Sequence, residues 1–264
     1  MAGRRHPLVR NPLFFPAHPY ARAPGGAMTV EAVKAARMVA EAAASASLED
    51  VPRRVCEAVR DGLGVDGATL SLLTDTPSRQ LLAASDDAAL QLEELQFTLL
   101  EGPCITAAHT GEPVAVHDLR HELTPWPLFG ALMREKLPRI GSVYALPLFF
   151  GDYVLGTVDL LALRAHALDE EDLVQASDVA DAVTAALMTT REMIVTGSQA
   201  PDWEPRAVVR AHWFDTARAV ATLVTRRGLS QEDALALMRA EAFRSGRSLA
   251  DITADVLRDP PGTA

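Results

Sequence analysis

The chain has 264 residues, of which 48% are hydrophobic and 23% charged, and its formal net charge is −10. This composition excludes a disordered or fibrous protein, and the length suits one large domain, or a domain of about 150 residues with a small module. The charge is uneven, since residues 1–27 carry +4, residues 28–200 carry −14 and residues 201–264 carry zero. The chain as a whole lacks the excess of basic residues that is typical of a protein that binds long stretches of nucleic acid through phosphates.

The cysteines and the apolar runs bear on the cellular compartment. Cys56 and Cys104 form no pattern that indicates a disulfide framework or a metal cluster. No apolar run reaches the roughly 18 residues that a membrane span needs, and closely spaced prolines interrupt the N-terminal apolar stretches. We therefore expect a cytoplasmic protein without a membrane partner.

The first elements in chain order are helical. Residues 1–27 are proline-rich and aperiodic, which predicts a disordered tail, and Met28 is a candidate translation start. Hydrophobic spacing predicts a helix at 28–45 and another at 51–63. The second helix has Pro52 in its first turn, where a missing N–H is harmless, and Gly62 and Gly64 at its end.

In the middle of the chain the spacing of the hydrophobic residues changes, and predicted strands alternate with predicted helices. Strands are predicted at 68–74, 81–84, 114–116, 142–149 and 153–162, and helices at 88–95 and 126–137. Asp75, Pro77 and Ser78 indicate a turn after the first strand, and the Gly-Asp pair at 151–152 indicates a hairpin. A long helix capped by Asp169 runs to about 195. This order predicts an α+β fold with an antiparallel sheet and flanking helices.

The last third of the chain is predicted to be a separate helical module. Residues 196–205 contain Gly, Ser and two Pro, and we interpret them as a linker. Residues 206–259 then divide into three helices, which are separated by Gly228 and Gly246. The second begins with Ser230 and Asp233 in a pattern close to a capping box.

Residues 28–195 resemble a GAF domain of the type found in actinobacterial regulators. The resemblance depends on Glu-Gly-Pro-Cys at 101–104, Thr-Gly-Glu-Pro-Val at 110–114, His-Asp-Leu at 117–119 and Trp-Pro-Leu-Phe at 126–129, with further runs at 143–148, 156–160 and 168–173. It implies a sensor, built on a six-stranded antiparallel sheet, that dimerises or binds a small molecule. It does not imply which molecule.

Residues 206–258 resemble an ANTAR domain, a three-helix module that binds paired RNA hairpins and relieves transcription termination. The matching runs are 228–230, 232–235, 237–243, 246–247 and 249–252. The first helix departs from the family, since Ala219, Val220 and Ala221 stand where Ala, a polar or basic residue and Gly are common. Thr253 also stands where a small Ala is usual.

Five arginines of this module are candidates for contact with RNA phosphates, because a guanidinium can meet a phosphate with two hydrogen bonds. They are Arg226, Arg227, Arg239, Arg244 and Arg247. The alternative is a solvated helix surface on which these arginines pair with Glu232, Asp233, Glu241 and Asp251, since the module has no net charge.

Candidate ligand-pocket residues in the sensor are Cys104, Trp126 and Phe129. Cys104 begins a predicted helix whose dipole would lower its thiol pKa, which suits a redox sensor; a buried small hydrophobe is the alternative. Trp126 and Phe129 either line a pocket or pack in the core. Histidines at 109, 117 and 121 lie near Cys104 in sequence, but we interpret them as loop and surface residues and expect neither a metal nor a cofactor.

The sequence carries no phosphate-binding glycine loop and no nucleophile–base pair, so an enzyme is not expected. The long helix at 169–195 would extend roughly 40 Å, and its Ala-rich stripe suits a homodimer seam. We therefore predict a GAF sensor that controls an RNA-binding ANTAR module in transcription antitermination, with tandem RNA hairpins and an unknown small molecule as partners. The alternative is a signalling protein whose degenerate C-terminal module only dimerises or docks a protein.

Overall fold

The computed structural model describes residues 28–47, 50–73, 79–151, 153–189 and 215–258. The predicted tail at 1–27, the turn at 75–78 and the linker at 196–205 lie outside these residues, as do residues 190–195 of the long helix and 206–214 of the first ANTAR-like helix. The α+β class is confirmed.

Eleven of the elements belong to the N-terminal part of the chain. They are α1 (Val30–Ser45), α2 (Val51–Leu63), β1 (Gly67–Leu73), β2 (Arg79–Ala84), α3 (Asp87–Leu99), α4 (Pro103–Thr110), β3 (Val114–Val116), α5 (Pro127–Lys136), β4 (Ser142–Phe150), β5 (Tyr153–Ala162) and α6 (Glu170–Thr189). Three follow after residue 214: α7 (Thr216–Arg227), α8 (Gln231–Ser245) and α9 (Leu249–Arg258).

The strands form one antiparallel sheet in the order β2-β1-β5-β4-β3. The described residues thus contain five strands where the family resemblance implied six. The central pair, β1 and β5, approaches closely at Gly156, where a Cβ atom would lie 2.0 Å from the carbonyl oxygen of Ser71. Only glycine is compatible with this spacing.

Side chains along the strands alternate between two different environments. In β5, Val158, Leu160 and Ala162 pack in the large core under α1, α2 and α6. Thr157 and Asp159 lie between them in sequence and therefore point to the opposite face, which α3, α4 and α5 cover. Helices on both faces explain why the strand sequences are nearly continuous apolar runs.

The Ala-rich stripe of α6 packs differently from what the sequence predicted. The stripe was expected to form a seam with a second chain, but Ala176, Val179, Ala180 and Val183 are buried against α1 and the sheet. Small side chains are needed here because they let α6 lie close to α1 within the same chain.

Two helix ends differ from the prediction. Gly62 does not end α2; it lies inside the helix, where a Cβ atom would come within 2.8 Å of the Ala35 Cβ atom, so it permits close packing on α1. Gly64 ends α2 in the left-handed conformation, as predicted. Helix α3 extends four residues past the predicted 95 and ends at Leu100, which adopts a positive φ of 54°.

Helices α7, α8 and α9 form a three-helix bundle, as predicted. Ser230 caps α8 by accepting a hydrogen bond from the backbone N–H of Asp233, and Gly228 and Gly246 end α7 and α8 with positive φ. Its core consists of Ala219, Val220, Leu223, Ala234, Leu235, Met238, Ala242, Leu249 and Ile252. Among the residues described, every helix is too short or too polar to cross a bilayer.

Candidate functional site

Helix α3 connects two distinctive regions of the molecule. Its first turn is fixed by Asp86, whose carboxylate accepts hydrogen bonds from the N–H groups of Ala88 and Ala89 at 2.8 and 3.0 Å. One side of the helix places Glu93 and Gln96 against the sheet. Phe97 follows Gln96 directly in the chain and packs in the hydrophobic cluster of the C-terminal bundle.

Gln96 organises a buried polar cluster on the sheet side of α3. Its Oε1 atom accepts the backbone N–H of Cys104 at 2.9 Å, which fixes the orientation of the amide. Its Nε2 atom therefore donates to Oδ2 of Asp159 on β5, at 2.7 Å. A single side chain thus holds α4 and the centre of the sheet in register.

Glycine at position 102 is required by this arrangement. Gly102 precedes α4 with φ +135°, and a Cβ atom there would lie 2.5 Å from Oε1 of Gln96. The Gly-Pro-Cys run therefore has a local explanation. Gly102 leaves room for the Gln96 amide, Pro103 starts the helix, and Cys104 presents its N–H to that amide.

Three potential ligand side chains meet beside the Gln96 amide. The carboxylates of Glu93 and Asp159 and the sulfur of Cys104 have ligand atoms within 4.8 Å of one another. Glu93 is 2% exposed, and Cys104 and Asp159 are fully buried. Sequence reasoning identified Cys104 but missed both acids, since Glu93 is one of several polar residues of α3 and Asp159 lies in a distant strand.

The other predicted pocket residues lie in a neighbouring cluster. Phe129 is fully buried between α3, α5 and the sheet, and Trp126 packs edge-on against it with the ring centroids 6.0 Å apart. The indole N–H of Trp126 donates to the Thr106 hydroxyl on α4 at 3.1 Å. Trp126 and Phe129 therefore support the helices that surround Cys104, and the structure does not bring them into the polar cluster itself.

The nearby histidines do not assemble into a metal group within the described ranges. His121 is exposed and pairs with Asp118, with Nδ1 2.8 Å from Oδ2. His117 instead stacks on His166, with ring centroids 5.7 Å apart. The assignment to loops agrees with the positions of His117 and His121, whereas His109 lies in the last turn of α4, where it is exposed.

The second region of interest is the contact between α3 and the bundle. Arg239 of α8 donates from Nε to the carbonyl oxygen of Phe97 at 3.1 Å, and its guanidinium carbon lies 5.4 Å from the centre of the Phe97 ring. Only 9% of this arginine is exposed, and burial lowers its pKa to about 10. A carbonyl in the last turn of a helix has no partner within that helix, so it accepts a cation readily.

The five predicted RNA-contacting arginines are thus in different environments. Arg239 is buried against the sensor, which was not expected of a phosphate ligand. Arg226 and Arg227 are exposed at the end of α7. Arg244 pairs with Glu241, as the alternative interpretation predicted, and Arg247 pairs with Asp255, each at 2.6 Å.

A cleft of about 460 Å³ runs beside this contact, between α3, α5 and the α8–α9 turn. Glu94, Lys136, Phe243 and Arg247 are among its lining residues. Burial is the main reason that the pKa of Glu94 is raised, and a hydrogen bond with Ser248 partly opposes the shift.

A five-stranded antiparallel sheet with helices on both faces is the architecture of one class of sensor domain, and the family comparison identifies that class. The family model described as a GAF domain matches residues 45–188, which is more than half of the chain. The chain therefore belongs to the GAF domain family. The match ends before α7.

Structural comparison matches this chain with the GAF domains of two phosphoenolpyruvate-protein phosphotransferases and with one reductase. The GAF domain of a phosphoenolpyruvate-protein phosphotransferase from Acinetobacter is 15% identical, with a TM-score of 0.47, and the match covers 65% of this chain and 100% of that one. The corresponding domain from Coxiella burnetii is 19% identical, with a TM-score of 0.47 and coverages of 62% and 97%.

Free methionine-R-sulfoxide reductase from Neisseria meningitidis, solved with its substrate, is 14% identical to this chain. Its TM-score is 0.48, and the match covers 64% of this chain and 96% of that one. A search of curated protein sequences finds no match.

Proposed function

We propose that this protein is a signal-responsive regulator in which the GAF sensor controls an ANTAR-type RNA-binding module that acts in transcription antitermination. The observation that carries the proposal is the adjacency of Gln96 and Phe97. Gln96 holds the buried polar cluster, and the next residue holds Arg239 of the bundle. A ligand that shifts α3 therefore shifts the attachment of the bundle.

The contact made by Arg239 has the properties of a reversible one. Its hydrogen bond and its stacking on Phe97 are favourable, but burial of the guanidinium carries a desolvation penalty that is reflected in its lowered pKa. Its Nη2 atom is buried and makes no hydrogen bond within the described residues. Because separation of the two surfaces restores hydration to the guanidinium, the docking equilibrium is one that ligand binding can shift.

Release of the bundle would change what it offers to RNA. In the docked arrangement the guanidinium of Arg239 is covered, while Arg226, Arg227, Arg244 and Arg247 are exposed. Release adds a fifth arginine to that set without moving any other. The ANTAR resemblance and the three-helix architecture support RNA as the partner, and the docked state is then the weaker binder.

An electrophoretic shift assay with full-length protein and a tandem-hairpin RNA tests this function. Binding should weaken steeply as salt rises, because each phosphate contact releases counterions. The double variant Arg226→Ala/Arg227→Ala should bind more weakly with a shallower salt dependence. Arg37→Ala, which removes an exposed arginine of α1, is the matched control and should bind like the wild type. Equal binding by all three proteins, or no shift at low salt, contradicts the proposal.

One observation favours a second function, in which the bundle docks a protein or a second copy of this chain. Leu237 and Phe243 on α8 are 40% and 51% exposed and therefore offer apolar surface for such a contact. Phe243→Asp should then abolish a concentration-dependent dimer in light scattering and leave RNA binding unchanged. The reverse outcome supports the RNA-binding function.

A further inference from the structure

We propose that Glu93, Cys104 and Asp159 bind a divalent transition-metal cation with affinity for sulfur, such as Zn²⁺. The site is the buried polar cluster of the sensor, so the proposal names the ligand class of that sensor. Only its signalling consequence rests on the proposed function; metal binding itself does not.

The charge of the cluster is the first argument. Two carboxylates and a thiol from α3, α4 and β5 have their ligand atoms within 4.8 Å of one another and at most 2% exposure. Carboxylates brought this close in a medium of low dielectric repel each other when both are ionised, and each also loses hydration. A bound cation offsets both effects at once.

The donor set selects the kind of cation. A thiolate with two carboxylate oxygens suits a borderline-soft ion, whereas Ca²⁺ and Mg²⁺ take oxygen ligands only. Tetrahedral ligands at the usual Zn–S and Zn–O lengths are about 3.5 Å apart, which requires only a small contraction of the present cluster. Three protein ligands leave a fourth position open, as in zinc sites that bind an exchangeable molecule.

The surroundings of the ligands form a suitable outer shell. Gln96 donates to Oδ2 of Asp159 and accepts the backbone N–H of Cys104, so one amide orients two of the three ligands. Cys104 is also the second residue of α4, where the positive end of the helix dipole favours the thiolate.

Thr69 provides an independent indication of a ligand. It is fully buried, and its Oγ1 atom makes no hydrogen bond to any part of the chain that the structure describes. In the β1–β5 pair it lies directly opposite Asp159, so the two side chains share one face of the sheet. A buried hydroxyl without a partner is unfavourable by about 1–3 kcal/mol. A water or other molecule in the open metal position would supply that partner.

The test uses full-length protein that has been freed of metal with a chelator and then titrated with Co²⁺, a spectroscopic substitute for Zn²⁺. The wild type should bind one equivalent and develop a sulfur-to-cobalt charge-transfer band together with the intense visible bands of four-coordinate cobalt. Cys104→Ala should lose the charge-transfer band. Cys56→Ala removes the other buried cysteine, which lies in the core on the opposite face of the sheet, and should keep the band.

A second variant distinguishes loss of a metal ligand from loss of folding. Asp159→Asn keeps the shape of the side chain, and it should weaken cobalt binding at least tenfold with an unchanged circular dichroism spectrum. Zn²⁺ should raise the Tm of the wild type and of Cys56→Ala, and not that of Cys104→Ala. The absence of a charge-transfer band in the wild type, or its persistence in Cys104→Ala, overturns the proposal.

The same preparations separate this proposal from the proposed function. If chelated and metal-loaded proteins bind hairpin RNA differently, the metal is the signal. If the cobalt spectrum appears and no protein binds RNA, the metal site stands and the antitermination function fails.

Discussion

The side chain of Arg239 caps the C-terminal turn of α3 by donating to the carbonyl oxygen of Phe97, a contact between residues 142 positions apart in the chain. The positive charge lies at the negative end of the α3 dipole and over the face of an aromatic ring. This one side chain therefore joins the sensor to the bundle through three favourable interactions.

Replacement of Arg239 by Ala should detach the bundle from α3. It removes the hydrogen bond and the cation–π contact, a loss of about 1–3 kcal/mol in the docking equilibrium. Hydrogen–deuterium exchange should become faster in the last turn of α3. Arg244→Ala, which breaks an exposed pair within α8, is the control and should leave α3 unaffected. Unchanged exchange in Arg239→Ala would show that other contacts hold the bundle in place.

Replacement of Gly102 by Ala should destabilise the sensor by at least about 3 kcal/mol, since it combines a strained backbone with a clash against Gln96. Gly64→Ala provides the comparison. Gly64 also has a positive φ, but nothing lies within 4 Å of its added Cβ atom, so a loss of about 1 kcal/mol is expected. Urea denaturation measures both values. Equal losses would mean that the amide of Gln96 can move without penalty.

Replacement of Gln96 by Glu should lower the free energy of unfolding by about 3 kcal/mol. The new carboxylate can still accept the N–H of Cys104, but it faces Asp159 without a hydrogen to donate. The loss should shrink as the pH falls, because a protonated carboxyl can donate again. Gln91→Glu makes the same chemical change at an exposed position of α3 and should alter the free energy of unfolding little.

The departure of α7 from the family pattern can be tested with two glycine substitutions. Ala221, which stands where a Gly is common, is exposed, and Ala221→Gly should lower helix stability by about 1 kcal/mol. Ala219 is fully buried in the bundle core. Ala219→Gly should lower the stability of the bundle by about 2 kcal/mol, because packing is lost as well as helix propensity. Thermal unfolding distinguishes the two. If the losses are equal, Ala221 packs against another part of the chain.

Local patterns predicted most of the fold because the strands and helices are strongly periodic. The strands at 114–116 and 153–162 were placed at their observed ends, and Ser230 was identified as a cap. The sheet order and the packing of α6 on α1 depend on contacts between distant segments, which periodicity does not record. This is why the Ala-rich stripe was assigned to a partner chain.

The candidate site was only partly visible in the sequence. Cys104 was recognised from the Gly-Pro-Cys run, but Glu93 and Asp159 come from other elements and meet it only in the folded sheet. One signal was available. Polar residues at 69, 71, 157 and 159 alternate with apolar ones in β1 and β5, which marks one face of the sheet as buried and polar. The docking of Arg239 gives no comparable signal in the sequence, because an arginine on a helix surface has the same local sequence whether another part of the chain covers it or not.

The missing side chain at Gly156 allows β5 to pair with β1 at the last position of their ladder, opposite Leu72. Because the carbonyl oxygen of Ser71 lies where a Cβ atom of residue 156 would stand, any other residue would push the two strands apart at this point. Three positions further along the same ladder, Thr69 lies opposite Asp159. A chain that acquired any larger residue at position 156 would disturb this ladder, and the buried polar cluster would be altered although none of its own residues had changed.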